Sequence, residues 1–417
     1  MIRASALYIA IIIALVMAVI CSSLITAAYF YRLQYQRTFR FQALQNNLVS
    51  AENLLLESTG DFQEVQKRTL FGLANDTVML QRQPWGVYEV GVARAFIQAD
   101  TLSRVFSMGH GLDSAKWSAL YIIDEDRNIS VSGKTSITGT AYLPKAGIKE
   151  AYINSQAYQG DKRLVAGEKR NSSRTLPALN GLLLANLEHY LSQTGQANSG
   201  VSQLQDSINR SFLQPTLTLN LGKQVYTLHQ RLSGNVILHS DTTLIIDSTA
   251  RLENVLVFAK AIVVRSGFRG ACQLFATDSL RIEQHCQFNY PSTIGVMNFD
   301  LEARGQRKLS LGQHSTVGGI LLTYERAKNE LLPVLDLGKG TTITGQVYAQ
   351  GLLNYQDGTA IQGSVHASRF LYQTAHTRYE NYLINIRLDA QALSRNYLTS
   401  ELLPVSKPNR KLMQWLN

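Results

Sequence analysis

The sequence predicts a mainly β protein: a single N-terminal transmembrane helix and helical neck, then a β-solenoid (β-helix) head interrupted by a helical insertion. Three observations carry this. Ala4–Tyr31 holds no charged residue, Gly and Pro are absent from Ile2 to Thr59, and apolar residues recur with a period of 18 between Leu244 and Met297. The length of 417 residues suggests two or three structural units. At 45% hydrophobic the chain can bury a sizeable core, and at 17% charged it is poor in charge for a soluble cytosolic protein. Forty Lys and Arg against 30 Asp and Glu give a net charge of +10, which excludes an acidic disordered chain. That surplus leaves open contact with anionic lipid headgroups, wall polymer or nucleic acid. Three cysteines with no CxxC pair exclude a disulfide framework.

Residues 1–31 form the anchor. Ala6–Phe30 would make a helix of roughly 37 Å, enough to cross a hydrocarbon core of about 30 Å with tilt. The alternative is a cleaved secretory signal with a weak site at Ala27-Ala28, whose apolar stretch would normally be only about 7–15 residues. A lipoprotein anchor at Cys21 is disfavoured by Ile20, where a small residue is wanted. Arg3 flanks one side of the span and Arg32, Arg37 and Arg40 the other, so the positive-inside count gives no clean orientation. A short tail leading as a signal anchor would leave the bulk outside the cytoplasm, and that is the expectation. Tyr29, Phe30, Tyr31 and Tyr35 fit an interfacial belt.

Residues 32–60 read as a helical neck, with Phe41, Leu44, Leu48, Ala51 and Leu55 on one stripe and Gly60 at the end. The stripe serves equally for a coiled coil or for packing on its own globular domain. A membrane helix running into an amphipathic helix ahead of a β-rich head resembles the outline of type IV pilins and pseudopilins. Their processing motif is absent, since no glutamate occurs before Glu52. Residues 61–127 read as mixed helix and strand. Ala95, Phe96, Ala99 and Leu102 would share a helical face within Val90–Gly109, and Trp117–Asp126 would be a strand entering a turn.

Residues 128–230 read as a β segment carrying the helical insertion, Leu176–Gln193 with the polar linker Thr194–Gln203. Residues 231–368 read as the solenoid. Three ungapped segments start at Leu244, Ile262 and Leu280. They place Ile246, Val264 and Ile282 in one interior row, Leu256 with Leu274, and Phe258 with Ala276 and Ile294. A period near 18 suits one coil of three short strands whose inward residues stack as apolar ladders. The period returns in Ile343-x-Gly345-x-Val347 and Ile361-x-Gly363-x-Val365, with an earlier copy at Ile137, Gly139 and Ala141. The branched residues would point inward, and Gly345 and Gly363 would sit where the chain bends. An ordinary β-sandwich with coincidental spacing is the alternative. Residues 369–417 read as a C-terminal cap and basic tail.

The stretches Ile343–Gln350 and Ile361–Ser368 resemble right-handed β-helix proteins and, among them, the polymer-forming bactofilins. The likeness extends loosely over 231–368. It implies a scaffold or structural role in a bacterial envelope, without catalysis, with membrane lipid, other envelope proteins or further copies of the chain as partners. The corresponding location is a bacterial inner membrane, single-pass, with the bulk periplasmic or extracytoplasmic.

Many β-helix proteins modify polysaccharides, which is the second functional expectation. Their chemistry needs clustered carboxylates on one solvated ladder. Asp247 and Glu283 are the candidates, in phase with Arg265, and a ladder of salt bridges explains them as well. A sugar site would also want a row of exposed aromatics, and only scattered Tyr and Phe are evident. Lys162, Arg163, Lys169 and Arg170, among tyrosines in Lys145–Arg174, are candidates for wall-polymer or polysaccharide contact, or simply a solvated loop. Nucleic acid is not favoured. The eight histidines form no HxH or HxxxH pair, and phosphate-binding and GxSxG motifs are absent, so no metal or cofactor is expected. Cys272 and Cys286 are expected as core thiols or, in an exported head, as a disulfide.

Overall fold

The computed structural model describes the chain apart from residues 1, 59, 61, 73–75, 114, 154, 193–203, 303, 328–330, 375, 405 and 417. The linker Thr194–Gln203 therefore lies outside the described residues. Two compact units result, Met1–Arg82 with Gly91–Val105, and Gln83–Val90 with Phe106–Asn417. The fold is mainly β, with one long apolar N-terminal helix and an extensive system of sheets.

In the first unit, α1 (Ile2–Glu57) runs unbroken from the anchor into the neck, as a stretch without Gly or Pro permits. Its apolar window buries none of its side chains within the protein, consistent with a single membrane-spanning segment. Farther on, Leu44, Leu48, Ala51 and Leu55 are buried, so the neck stripe packs inside its own unit rather than waiting for a coiled-coil partner. Phe41, expected on that stripe, is exposed: inward packing begins one turn later, at Leu44. Arg104 Nη1 donates to Glu52 Oε1 (2.7 Å), and Arg40 Nη1 donates to Gln98 Oε1 (2.8 Å). Arg82 donates to the carbonyls of Leu55 (3.3 Å) and Ser58 (3.0 Å), satisfying orphan acceptors at the helix end.

The strands β1 (Gln66–Thr69), β2 (Thr77–Trp85), β3 (Tyr88–Ile97) and β4 (Asp100–Leu112) follow, β1 antiparallel to β2. The helix expected within Val90–Gly109 is instead the hairpin of β3 and β4. Ala93, Ala95 and Ile97 are buried with Arg94 and Phe96 between them half-buried, a period of two. The turn is made by Gln98 at φ 55° and Ala99, without the Asn-Gly or Asp-Gly pair that marks most two-residue turns. Among the described residues of 61–127 there is no helix.

In the second unit most strands pair in parallel with earlier and later stretches of the chain, while Leu371–Gln373 pairs antiparallel with Arg378–Glu380. One row runs through Leu244, Ile262, Leu280, Leu309, Leu335 and Leu353, all buried. Two residues on, Ile246, Val264 and Ile282 are successive partners and also buried. Extra chain after Asn298 and after Glu325 lengthens the steps from Leu280 to Leu309 and from Leu309 to Leu335. A second row differs from the ungapped alignment. Leu274 faces Val257 rather than Leu256, Phe275 faces Phe258, and Ile294 faces Leu274. Register shifts at Glu253/Val255 and Ala259/Ala261 drop one residue on this side and restore it on the next.

A third row runs through Phe288, Val317, Ile343, Ile361, Leu388 and Ile137. The distant copy at Thr135 thus pairs with the rest through Arg387–Asp389, and Ala141 through Leu120 to Val365. Pairing also starts ahead of 231, at Ser207–Arg210. Gly319, Gly345 and Gly363 are stacked partners with φ of 136°, 147° and 148°, which L side chains rarely adopt. The insertion contains α2 (Gly181–Ser192), whose Asn180 Oδ1 accepts from the Leu182 amide (2.9 Å) as an N-cap. The C-terminal strand Ser406–Trp415 runs antiparallel to the far half of β4. Cys272 and Cys286 are buried free thiols, and burial raises the pKa of both.

Candidate functional site

The outward row beside Val257 and Leu274 is the most unusual surface in the second unit. His239, Phe258 and Phe275 stack at 5.3 Å between neighbouring centroids. Farther along the same row His366 lies 6.2 Å from Tyr348 and 5.6 Å from Tyr121. Outward residues of a sheet normally meet water, yet these six are buried. The cover is the segment from Ser173 through α2. Tyr190 stacks on Phe258 at 5.2 Å, Tyr348 OH donates to the Pro177 carbonyl (3.1 Å), and Tyr121 OH shares a hydrogen bond with Ser173 Oγ (2.8 Å). Burial pushes the His239 and His366 imidazoles down to about 4, so both are neutral near pH 7. An aromatic row therefore exists where the sequence showed only scattered rings, but it seals a strap and is not an open sugar platform.

The sequence-predicted carboxylates do not share a cleft. Glu283 borders an open one of about 430 Å³ with Arg281 and Asp336, and Asp247 is not among its walls. Arg265 Nη1 donates to Glu283 Oε1 (2.9 Å), and the Ser266 amide donates to Glu283 Oε2 (3.1 Å). Burial opposes ionisation of Glu283, but these donors outweigh it and its pKa is lowered. Asp247 turns away from that ladder and accepts from the Thr249 amide (3.0 Å) and hydroxyl (2.8 Å), which lower its pKa; His229 lies 3.5 Å away. Acid–base pairs work when their surroundings push the two pKa values apart. Here both go down, and neither group is kept protonated as an acid.

Of the basic candidates, Arg163 is chelated by Asp161 (3.1 and 3.0 Å from Nε), whose carboxyl is held down to about 2 chiefly by those bonds. Arg170 donates to Glu168 (2.9 Å) and Tyr142 OH (3.0 Å). Lys169 and Arg170 sit in the exposed strand Lys169–Asn171, which among the described residues pairs with Ala141–Leu143 alone. Lys162 is exposed nearby. These cations mark the terminal edge of the parallel strands.

One cluster had no signal in the sequence. Glu89, His110 and Glu401 each bring a donor atom within 4.8 Å of the others, a set of ligand types a divalent ion accepts. His110 Nε2 is 3.5 Å from Glu401 Oε2. Arg410 donates to Glu89 and lies 3.8 Å from Glu401, so a guanidinium already stands against both carboxylates. The arrangement is an ion-pair cluster holding the C-terminal strand, with Arg410 opposite His110 in the register. No short motif could reveal residues so far apart in the chain.

No protein-family model matches the chain, and no curated protein does. Among solved structures, the crystal structure of the competence-associated pilin ComZ from Thermus thermophilus aligns over 86% of this chain and 86% of that one, with 10% identity and a TM-score of 0.24. At that score the likeness is slight and says nothing about function.

Proposed function

We propose that this protein is a membrane-anchored, non-enzymatic structural or assembly component of a bacterial envelope, whose β-solenoid head offers surfaces to other proteins or to wall polymer. The observation that carries this is how the candidate catalytic carboxylates and the aromatic row are engaged within the head. Asp247 and Glu283 are bound into a turn and a ladder, and the aromatic row from His239 to Tyr121 is sealed by the chain itself. The β-helix reading is supported by rows in parallel register, 18 residues apart where no bulge or loop intervenes, with inward side chains buried. Apolar α1, with nothing in the protein to cover its window, supplies the anchor.

Lys169 and Arg170 on the terminal edge oppose end-to-end stacking, because unpaired strand edges are kept from self-pairing by charge. Assembly is therefore assigned to the flanks of the head, with bactofilin-like end stacking disfavoured. A C-terminal tag on the full chain tests the compartment. Protease added to spheroplasts is expected to remove it. A tag protected while the inner membrane stays intact would place the head in the cytoplasm and defeat the envelope reading.

A further inference from the structure

Two clefts, of about 560 and 340 Å³, lie where the strap meets the loops that leave the stacked strands. Arg307 lines the first and Glu325 the second, and both are almost wholly buried, at 6% and 3% exposed. Arg307 Nη1 is 3.4 Å from Asp278 Oδ1, but its Nε has no hydrogen-bond partner. Glu325 Oε1 is likewise buried without a partner. Arg307 serves two carboxylates, Asp278 and Glu325, while Lys260 reaches Asp278 only from the solvent side at 3.8 Å. Among the described residues Glu325 makes no ion pair of its own, and it borders the smaller cleft with Oε1 unpartnered. Buried carboxylate oxygens are normally hydrogen-bonded, so Oε1 is open to a donor entering the cleft.

The remaining walls of that cleft narrow the choice. Ile123, Leu176, Leu332, Pro333 and Tyr348 make it largely apolar. Arg174 and Arg369 also border it, each already bonded to a carboxylate, Asp126 and Glu125. Burial raises the pKa of Glu325, and Arg307 opposes that rise.

We propose that this cleft binds a primary ammonium group carried on an aliphatic body, the chemistry shared by a peptide amino terminus and a free aliphatic amino acid. The ammonium donates to the Glu325 carboxylate as a charge-assisted hydrogen bond, and the side chain packs on Leu176, Leu332 and Pro333. This goes beyond the structural role proposed above and does not depend on it.

Titration calorimetry on the detergent-solubilised full chain tests it with three probes: L-leucinamide, L-leucine and N-acetyl-L-leucinamide. The two amines should bind, and the acetylated amide should bind about tenfold or more weakly, since it has lost the charged donor. The order of the amines identifies the source. Tighter L-leucinamide indicates a peptide terminus, and tighter L-leucine a free amino acid. Glu325→Gln, with a folded circular dichroism spectrum, should weaken both amines by a similar factor. Binding of neither amine, or equal binding of the acetylated probe, overturns the proposal on the unaltered protein. Unchanged binding in folded Glu325→Gln overturns it as well.

Discussion

Replacing Gly363 by valine is expected to destabilise the head by on the order of 4 kcal/mol. Two terms add. The backbone there has φ 148°, which a β-branched residue strongly resists. A Cβ on Gly363 would also lie inside van der Waals contact of the Gly345 carbonyl oxygen, which belongs to backbone and cannot swing aside. Because each layer rests on the next, loss of one bend disturbs both neighbouring layers. Thermal unfolding of the full chain in detergent, followed by far-UV circular dichroism, measures the effect. As a control, Gly358→Ala also sits at positive φ, 78°, but meets only Gly340 atoms at 3.6 Å or more, so it should cost about 1 kcal/mol. A Gly363→Val protein as stable as Gly358→Ala would show that the glycine column does not hold the layers at this spacing.

Val264→Asp is expected to cost a similar amount, on the order of 5 kcal/mol. Val264 is fully buried between Ile246 and Ile282, and a carboxylate there would have no donor within its row. Val263, one residue away, is only partly buried and faces Arg281 across the pairing. Val263→Asp should therefore fall within about 1 kcal/mol of the parent, because adjacent residues of a strand point to opposite faces. Urea unfolding of both variants decides. If Val263→Asp proves the more harmful, the inward and outward faces have been exchanged.

Much of this architecture is legible in the sequence, for a physical reason that differs from element to element. The anchor shows itself because lipid tolerates no charge, and Ala4–Tyr31 has none. The pairs Ile343–Ile361, Gly345–Gly363 and Val347–Val365 keep a spacing of 18 because their strands align there without a register shift. Where bulges intervene, the period fails. Leu256 and Leu274 are 18 apart yet not partners, since an irregularity between Glu253 and Val255 moves the register by one. The β3–β4 hairpin was hidden by its turn, as Gln98 gives no local sign of positive φ. The aromatic row was hidden for another reason. Gly295 and Leu322 interrupt it between Phe275 and Tyr348, and the strap that buries it comes from a helix far away in the chain. The Glu89–His110–Glu401–Arg410 cluster is assembled wholly by tertiary pairing.

Photo-crosslinking of the full chain in native membranes, with mass spectrometry of the adducts, addresses the non-enzymatic envelope role most directly. It should be run on the parent and on the double variant Asp247→Asn, Glu283→Gln. The expected result is adducts to other envelope proteins or to a second copy of the chain, unchanged in the double variant. Recovery of monomer alone, together with turnover of a wall or capsule polymer that disappears in the double variant, would contradict a structural role and identify a membrane-tethered enzyme.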